Sequence, residues 1–322
     1  MSVAPPVAFC FPGQGSQAVG MGRDLNQHSA AARAVFEEAS DTIGLDVAAL
    51  CFEGPKEALE FTANTQPAVL TVSVAAARVL AERGLAPAVV AGHSLGEYSA
   101  LVVAGALRFA DAVRIVRQRG QFMQEAAPVG TGSMAAIQGA DLDIVEAACR
   151  EGAQGEVAEI ANINSPGQVV IAGHRGAVER AVALVSARGS GRGVFLSVSA
   201  PFHCSLMAPA AERLAVVLAG MEAASPAVPV VRNVDAGLTT RAEEVAPFLI
   251  RQVTASVRWM DCVRRMAQEE GCRTFLEVGP GRVLTGLLRR IDSGLTGLTV
   301  GDPIGADKAV ATVRAPVSGP GG

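Results

Sequence analysis

Gly92-His93-Ser94-Leu95-Gly96 is a Gly-x-Ser-x-Gly pentapeptide, the stretch of this chain best suited to nucleophilic chemistry. It follows a short apolar run, Ala88-Val89-Val90-Ala91, and precedes an alanine-rich, helix-forming run. Strand, sharp turn and helix in that order make a nucleophile elbow, which holds a serine hydroxyl clear of the backbone. The glycines suit a tight turn at which strand and helix pass close together. Ser94 is therefore a candidate nucleophile. The plainer reading is a glycine-punctuated turn with a capping serine.

A nucleophilic serine needs a base, and two histidines, His174 and His203, follow the elbow. His174 opens a predicted helix in a surface-like stretch, where capping accounts for it. His203 lies in Ser199-Ala200-Pro201-Phe202-His203-Cys204-Ser205, a proline-bounded loop at the junction of two parts of the chain. Sites commonly form in such places, so His203 is preferred. His93 adjoins the serine, but neighbouring side chains diverge on a sharp elbow. The only lysines are Lys56 and Lys308, and no Ser-x-x-Lys lies near Ser94, which counts against a Ser-Lys hydrolase.

Two further features carry chemistry. Gly13-Gln14-Gly15-Ser16-Gln17 follows the strand-like Val7–Phe11 and Pro12. No lysine follows it, so it is not a P-loop; it is a plain turn, or it presents backbone N–H groups to an anion or oxyanion. The other feature is Arg119. Residues 109–125 are periodic, with Phe109, Ala112, Val113, Val116, Gly120 and Met123 on one face and Arg114, Arg117, Gln118, Gln121 and Gln124 opposite. At about 100° per residue, Arg119 falls in the apolar sector. An arginine there is costly unless an anion meets it. It snorkels, joins a structural ion pair, or is a guanidinium fork awaiting a carboxylate.

The frame for these residues is one large domain or two modest ones, since the chain has 322 residues. Half of it is apolar, 18% is charged and the net charge is −4, which suits neither a nucleic-acid binder nor a polybasic membrane protein. No apolar run reaches a membrane span, and the N-terminus lacks the basic region of a secretory signal. The six cysteines are scattered without metal-ligand spacing, so a cytoplasmic protein with reduced thiols and no metal is expected. Helical patterns at 30–43, 55–61 and 67–83 alternate with strands, which indicates a parallel α/β sheet.

From Gly132 the texture changes. Residues 133–138, 157–163, 168–172 and 193–199 are strand-like and 142–151 and 176–188 helical, a β-α-β-β-α-β order of ferredoxin-like type. Asn164-Ser165-Pro166-Gly167 is good turn chemistry between its middle strands. A strand at 228–233, helices at 242–252 and 257–269, a strand at 274–278 and a helix at 282–291 follow. The expected division is a large α/β domain (1–130 and 198–300) with a parallel-sheet core and the serine elbow. An inserted ferredoxin-like subdomain (131–197) and a flexible, frayed tail (301–322) complete it.

With these pieces in place, the chain resembles the bacterial malonyl-CoA:acyl carrier protein transacylases of the acyltransferase family. The likeness runs from about Val7 to Ile291. It is carried by Phe11-Pro12-Gly13-Gln14-Gly15-Ser16-Gln17, Gly92-His93-Ser94-Leu95-Gly96-Glu97-Tyr98-Ser99, Pro201-Phe202-His203 and Glu277-Val278-Gly279-Pro280-Gly281. Asn162-Ile163-Asn164-Ser165-Pro166-Gly167-Gln168 adds to it. The resemblance implies that Ser94 is the acylated nucleophile and His203 its general base. It implies that the carbonyl of Gln252 orients that histidine, in a dyad without a carboxylate. Backbone N–H groups of Gln14 and Leu95 would form the oxyanion hole, and Arg119 would bind the free carboxylate of a malonyl group. Phe202 is similar to the residue that malonyl-selective members carry, and its bulk would crowd a methyl branch.

The implied activity is ping-pong transfer of malonyl from malonyl-CoA to the phosphopantetheine thiol of acyl carrier protein, for fatty acid or polyketide synthesis. No cofactor is implied, and a monomer without nucleic-acid or membrane partners is expected. The competing readings are a serine thioesterase or α/β-hydrolase, and a carrier-protein docking module without activity. An α/β-hydrolase usually places an acid and then a late histidine after its serine, with a His-Gly-Gly oxyanion loop, and this chain has no such loop. Intact Ser94, His203 and Arg119 speak against an inactive module.

Overall fold

A computed structural model of the chain describes residues 6–128, 130–198 and 200–315. Its strands are β1 (Val7–Phe11), β2 (Val89–Gly92), β3 (Gly132–Gln138), β4 (Ala158–Ser165), β5 (Gln168–His174), β6 (Arg192–Phe195), β7 (Val230–Val231), β8 (Leu238–Thr239), β9 (Thr274–Val278) and β10 (Thr296–Val300). They form two sheets, one in the order β10-β9-β1-β2-β7-β8 and the other in the order β4-β5-β3-β6. The first is parallel apart from β8, which returns antiparallel to β7.

Every residue of β1 is buried, as befits a central strand covered on both faces. Its side chains alternate between two cores. Val7, Phe9 and Phe11 join one with Val90 and Leu276; Ala8 and Cys10 join the other with Val89, Ala91 and Phe275. The helix Thr62–Glu82 is buried along nearly its whole length on the first face. It starts five residues before the 67–83 expected, because the N–H groups of both Asn64 and Thr65 bond the carbonyl of Phe61. Pro67 is accommodated inside it, at the loss of one backbone bond.

The second sheet is antiparallel throughout. Helices Leu142–Ala153 and Arg175–Ala187 cover it through Val145, Ala148, Val178 and Ala181, which pack with Ile137 and Ile171. This is the ferredoxin-like arrangement. Its strand β4 is bonded to the large sheet's side of the molecule: Ile163 N–H donates to the Val257 carbonyl and Val257 N–H to the Ala161 carbonyl, each at 2.9 Å.

The C-terminal segment corrects the sequence reading. A frayed tail is expected from Gly301, yet Pro303–Arg314 is a helix. Asp302 caps it, accepting from Gly305 N–H at 2.7 Å, and Pro303 occupies its first turn. Ala306 and Ala309 are fully buried, and Arg83 bonds Asp307 at 2.6 Å. Val310 and Val313 pack against the same core, so the buried face follows an i, i+3, i+4, i+7 spacing that two small alanines and a proline- and glycine-rich start make faint. Residues 316–322 of that tail lie outside the described residues, as does Ser199 at the end of the strand expected over 193–199. That strand, β6, ends at Phe195. Among the described residues, no helix is long and apolar enough to cross a membrane.

Candidate active site

The elbow follows from two glycines. A Cβ on Gly92 would lie 1.8 Å from the Gly96 backbone, and one on Gly96 would lie 2.1 Å from the Phe11 carbonyl oxygen. Only hydrogen fits where β2 turns into the helix Gly96–Val103 beside β1. Ser94 sits at the apex with φ 53, a left-handed conformation that is uncommon for a side-chain-bearing residue. Asn233 holds it there: its Oδ1 accepts Ser94 N–H at 2.6 Å and its Nδ2 donates to the Gly92 carbonyl at 2.6 Å.

His203, in the segment between β6 and the helix Ala208–Ala219, meets the serine. Its Nε2 lies 2.7 Å from Ser94 Oγ, and its Nδ1 lies 3.0 Å from the backbone carbonyl of Gln252. A carbonyl only accepts, so Nδ1 carries the proton and Nε2 is left to accept from the serine hydroxyl. His203 also has positive φ, at 60. Burial and the nearby Arg119 cation push its pKa down to about 3, so the ring is neutral at physiological pH.

Arg119 projects from the helix Phe109–Glu125 and is 2% exposed. Its Nη1 donates to Gln66 Oε1 at 2.8 Å, and its Nη2 donates to Ser94 Oγ at 3.1 Å and to Gln252 Oε1 at 3.0 Å. The guanidinium lies 5.5 Å from the centre of the Tyr98 ring. Its Nε is buried without a partner among the described residues. A guanidinium held by neutral groups, with a donor to spare, has the chemistry to receive an anion.

Ser94, His203 and Arg119 line one cavity of about 410 Å³, together with Gln14, Leu95, Met123, Asn162 and Phe202. Gly13 brings the glycine-rich loop against the elbow, since a Cβ there would lie 2.4 Å from the His93 carbonyl oxygen. Among the described residues, no protein acceptor is matched to the backbone N–H of Gln14 or of Leu95. No group of three or more His, Cys, Asp or Glu side chains suited to a metal occurs among the described residues.

The other histidines lie elsewhere. His174 is at the end of β5, where its Nδ1 accepts Val157 N–H at 3.0 Å; it precedes the helix Arg175–Ala187, but its ring makes no capping bond. His93 turns its ring toward β4 and meets Asn164 Oδ1 at 2.9 Å.

Four groups of the site have no role assigned from sequence: Gln66, Glu97, Asn233 and the side chain of Gln252, although Glu97 lies within the Gly92–Ser99 stretch. Gln66 precedes a proline that hid the start of its helix. The rest are polar residues whose partners lie far away along the chain, as Gln252 and Glu97 do (2.8 Å apart). Glu97 is 3% exposed, and burial pushes its pKa up to about 7.

Comparison with known proteins gives the family. The sequence pattern of the acyl transferase domain matches residues 8–295. The malonyl CoA-acyl carrier protein transacylase of Escherichia coli (strain K12) is 52% identical over 297 residues, covering 92% of this chain and 96% of the relative. The crystal structure of an acyl carrier protein S-malonyltransferase from Vibrio cholerae superimposes with a TM-score of 0.92 at 49% identity, covering 94% of this chain and 99% of that one. A malonyl-transacylase solved in complex with a type II polyketide synthase acyl-carrier protein gives 0.93 at 49% identity, over 95% and 99% of the two chains. This chain is a member of the acyl transferase family, among the malonyl CoA-acyl carrier protein transacylases.

Proposed function

We propose that this enzyme transfers a malonyl group from malonyl-CoA to the phosphopantetheine thiol of acyl carrier protein through a malonyl ester on Ser94. One observation carries the reading: Ser94 Oγ is within hydrogen-bond distance of both His203 Nε2 and Arg119 Nη2. A base and a carboxylate receptor thus converge on one nucleophile.

His203 Nε2 takes the hydroxyl proton as Oγ attacks the thioester carbonyl. The carbonyl electrons move onto oxygen, toward the backbone N–H groups of Gln14 and Leu95; one such donor is typically worth about 3–4 kcal/mol. Collapse of this intermediate breaks the C–S bond, and the histidine returns its proton to the departing CoA thiolate. The carrier thiol then repeats the sequence in reverse on the ester. Gln252 holds His203 in the right tautomer through its carbonyl, so no carboxylate is needed as a third member. Arg119 engages the malonyl carboxylate in both half-reactions, and Phe202 limits the room at the acyl α-carbon. The bulk of this chemistry belongs to the large α/β part (1–130 and 198–300), with the ferredoxin-like part (131–197) supplying one wall. The enzyme acts as a cytoplasmic monomer, with no metal or organic cofactor.

Intact-protein mass spectrometry after mixing with malonyl-CoA, then a chase with holo acyl carrier protein, tests the reading. A malonyl adduct is expected that vanishes on the chase and never forms on Ser94→Ala. His203→Ala should slow loading by roughly 10²- to 10⁴-fold. An adduct persisting on Ser94→Ala would sink the proposal.

A further inference from the structure

Glu97 lies three residues after the nucleophile and has no part in the steps above. Its Oε2 accepts the backbone N–H of Asn233 at 3.0 Å and Nε2 of Gln252 at 2.8 Å. The other end of that same amide accepts from Arg119 Nη2 at 3.0 Å. An amide has one accepting and one donating end. Gln252 therefore bridges a guanidinium to a carboxylate, and the two charges fix which way the amide points. Arg119 lines the cavity, whereas Glu97 stands behind it and does not.

We propose that Glu97 is a positioning residue for Arg119: its charge, delivered through Gln252, sets how strongly the guanidinium holds a substrate carboxylate. The inference rests on the reading of Arg119 as the malonyl receptor. A substrate carboxylate and Glu97 would share one buried cation, where charges act over several ångströms. Ionised Glu97 weakens the receptor's grip on a group that must later leave; neutral Glu97 tightens it.

The carboxyl changes charge within the working range, because burial lifts it to about 7 against the pull of Asn233, Gln252, Arg119 and Arg232. The other groups around it hold their state. Burial pushes Tyr98 up to about 12 and Cys262 well above its ordinary range. It also pushes His203 and His93 below the ordinary imidazole value. The two arginines that face it, Arg119 and Arg232, stay cationic.

The test compares Ser94 loading by malonyl-CoA and by acetyl-CoA between about pH 5.5 and about pH 8.5, a range over which the malonyl carboxylate is ionised throughout. Both substrates use the same nucleophile, base and oxyanion donors, so the ratio of the two rates cancels changes in those groups. In the wild type the malonyl-to-acetyl ratio is expected to fall as the pH rises through about 7, by roughly threefold to tenfold. Glu97→Gln keeps an acceptor for both N–H donors and removes the charge. Its ratio is expected to be flat with pH and close to the low-pH value of the wild type. A flat wild-type ratio, or a Glu97→Gln ratio equal to the wild type's high-pH value, overturns the proposal. Arg119→Ala separates the two layers of inference. If it leaves the ratio unchanged, the receptor reading falls too; if it collapses the ratio while Glu97→Gln has no effect, only the role of Glu97 falls. Should Glu97→Gln fail to fold, the wild-type profile decides by itself.

Discussion

Two arginines, one in each part of the molecule, show how differently those parts use charge. Arg119 is 2% exposed and is held by Gln66, Ser94 and Gln252. Arg188, just past the helix Arg175–Ala187 of the ferredoxin-like part, pairs with Glu151, and the two side chains are 37% and 55% exposed. Water and salt screen the second pair, and ordering two long side chains cancels much of its attraction. The first is almost wholly withdrawn from solvent. Desolvation depresses the Arg119 pKa, against the pull of Tyr98 and Glu97. A buried cation without a direct anionic partner is poor for stability and good for capturing an anion. The difference lies in solvent access, not in residue type.

Replacing the buried member should have the larger consequence. Arg119→Ala leaves a malonyl carboxylate without its charged hydrogen bonds, each worth about 1.5–3 kcal/mol. Malonyl loading is therefore expected to fall by roughly 10²-fold or more, with acetyl loading spared. Parallel loss of both, together with a lowered melting temperature, would make Arg119 structural and break the comparison.

Phe202 sharpens it from the apolar side of the same cavity. Phe202→Ser removes a ring that is 8% exposed beside His203. Methylmalonyl loading should rise relative to malonyl, and only modestly, since one methyl group in a pocket is worth about 1–3 kcal/mol. An unchanged ratio of loading rates would take Phe202 out of the selectivity.

Arg188→Ala should have the smallest effect. Loss of the exposed pair is expected to change stability by no more than about 1 kcal/mol, with loading rates as in the wild type. A fall in activity would mean that the surface of the ferredoxin-like part matters more than its solvation suggests. Thermal melting and the loading assay read both quantities.

Much of what surrounds Ser94 is legible in the sequence. The Gly-x-Ser-x-Gly spacing is a local steric requirement, and the bare contacts at Gly92 and Gly96 are its cause. Arg119 was legible because a helix repeats every few residues, so a charge in the apolar sector stands out. His203 emerged from a short list of histidines and a loop at a junction. The β-α-β-β-α-β order was readable for the same reason as the elbow, since strand and helix periods are properties of neighbours along the chain. The helix Pro303–Arg314 was not, although Asp302 and Pro303 are good start signals. Its packing face is Ala306, Ala309, Val310 and Val313, a short helical period whose first two members are small and whose apolar contrast is weak beside the exposed Ile304.

Local chemistry along the chain thus determined the elbow, the order of elements and the presence of an arginine on the buried face of its helix. Tertiary packing alone decided what surrounds them. Asn233 reaches Ser94, and Gln252 joins Arg119 to Glu97, only because distant segments meet at the carboxyl edge of the large sheet. A polar side chain has the same sequence signature whether it faces water or a buried charge. Its desolvation, and with it the pH at which Glu97 ionises, exists only once the chain has closed around it.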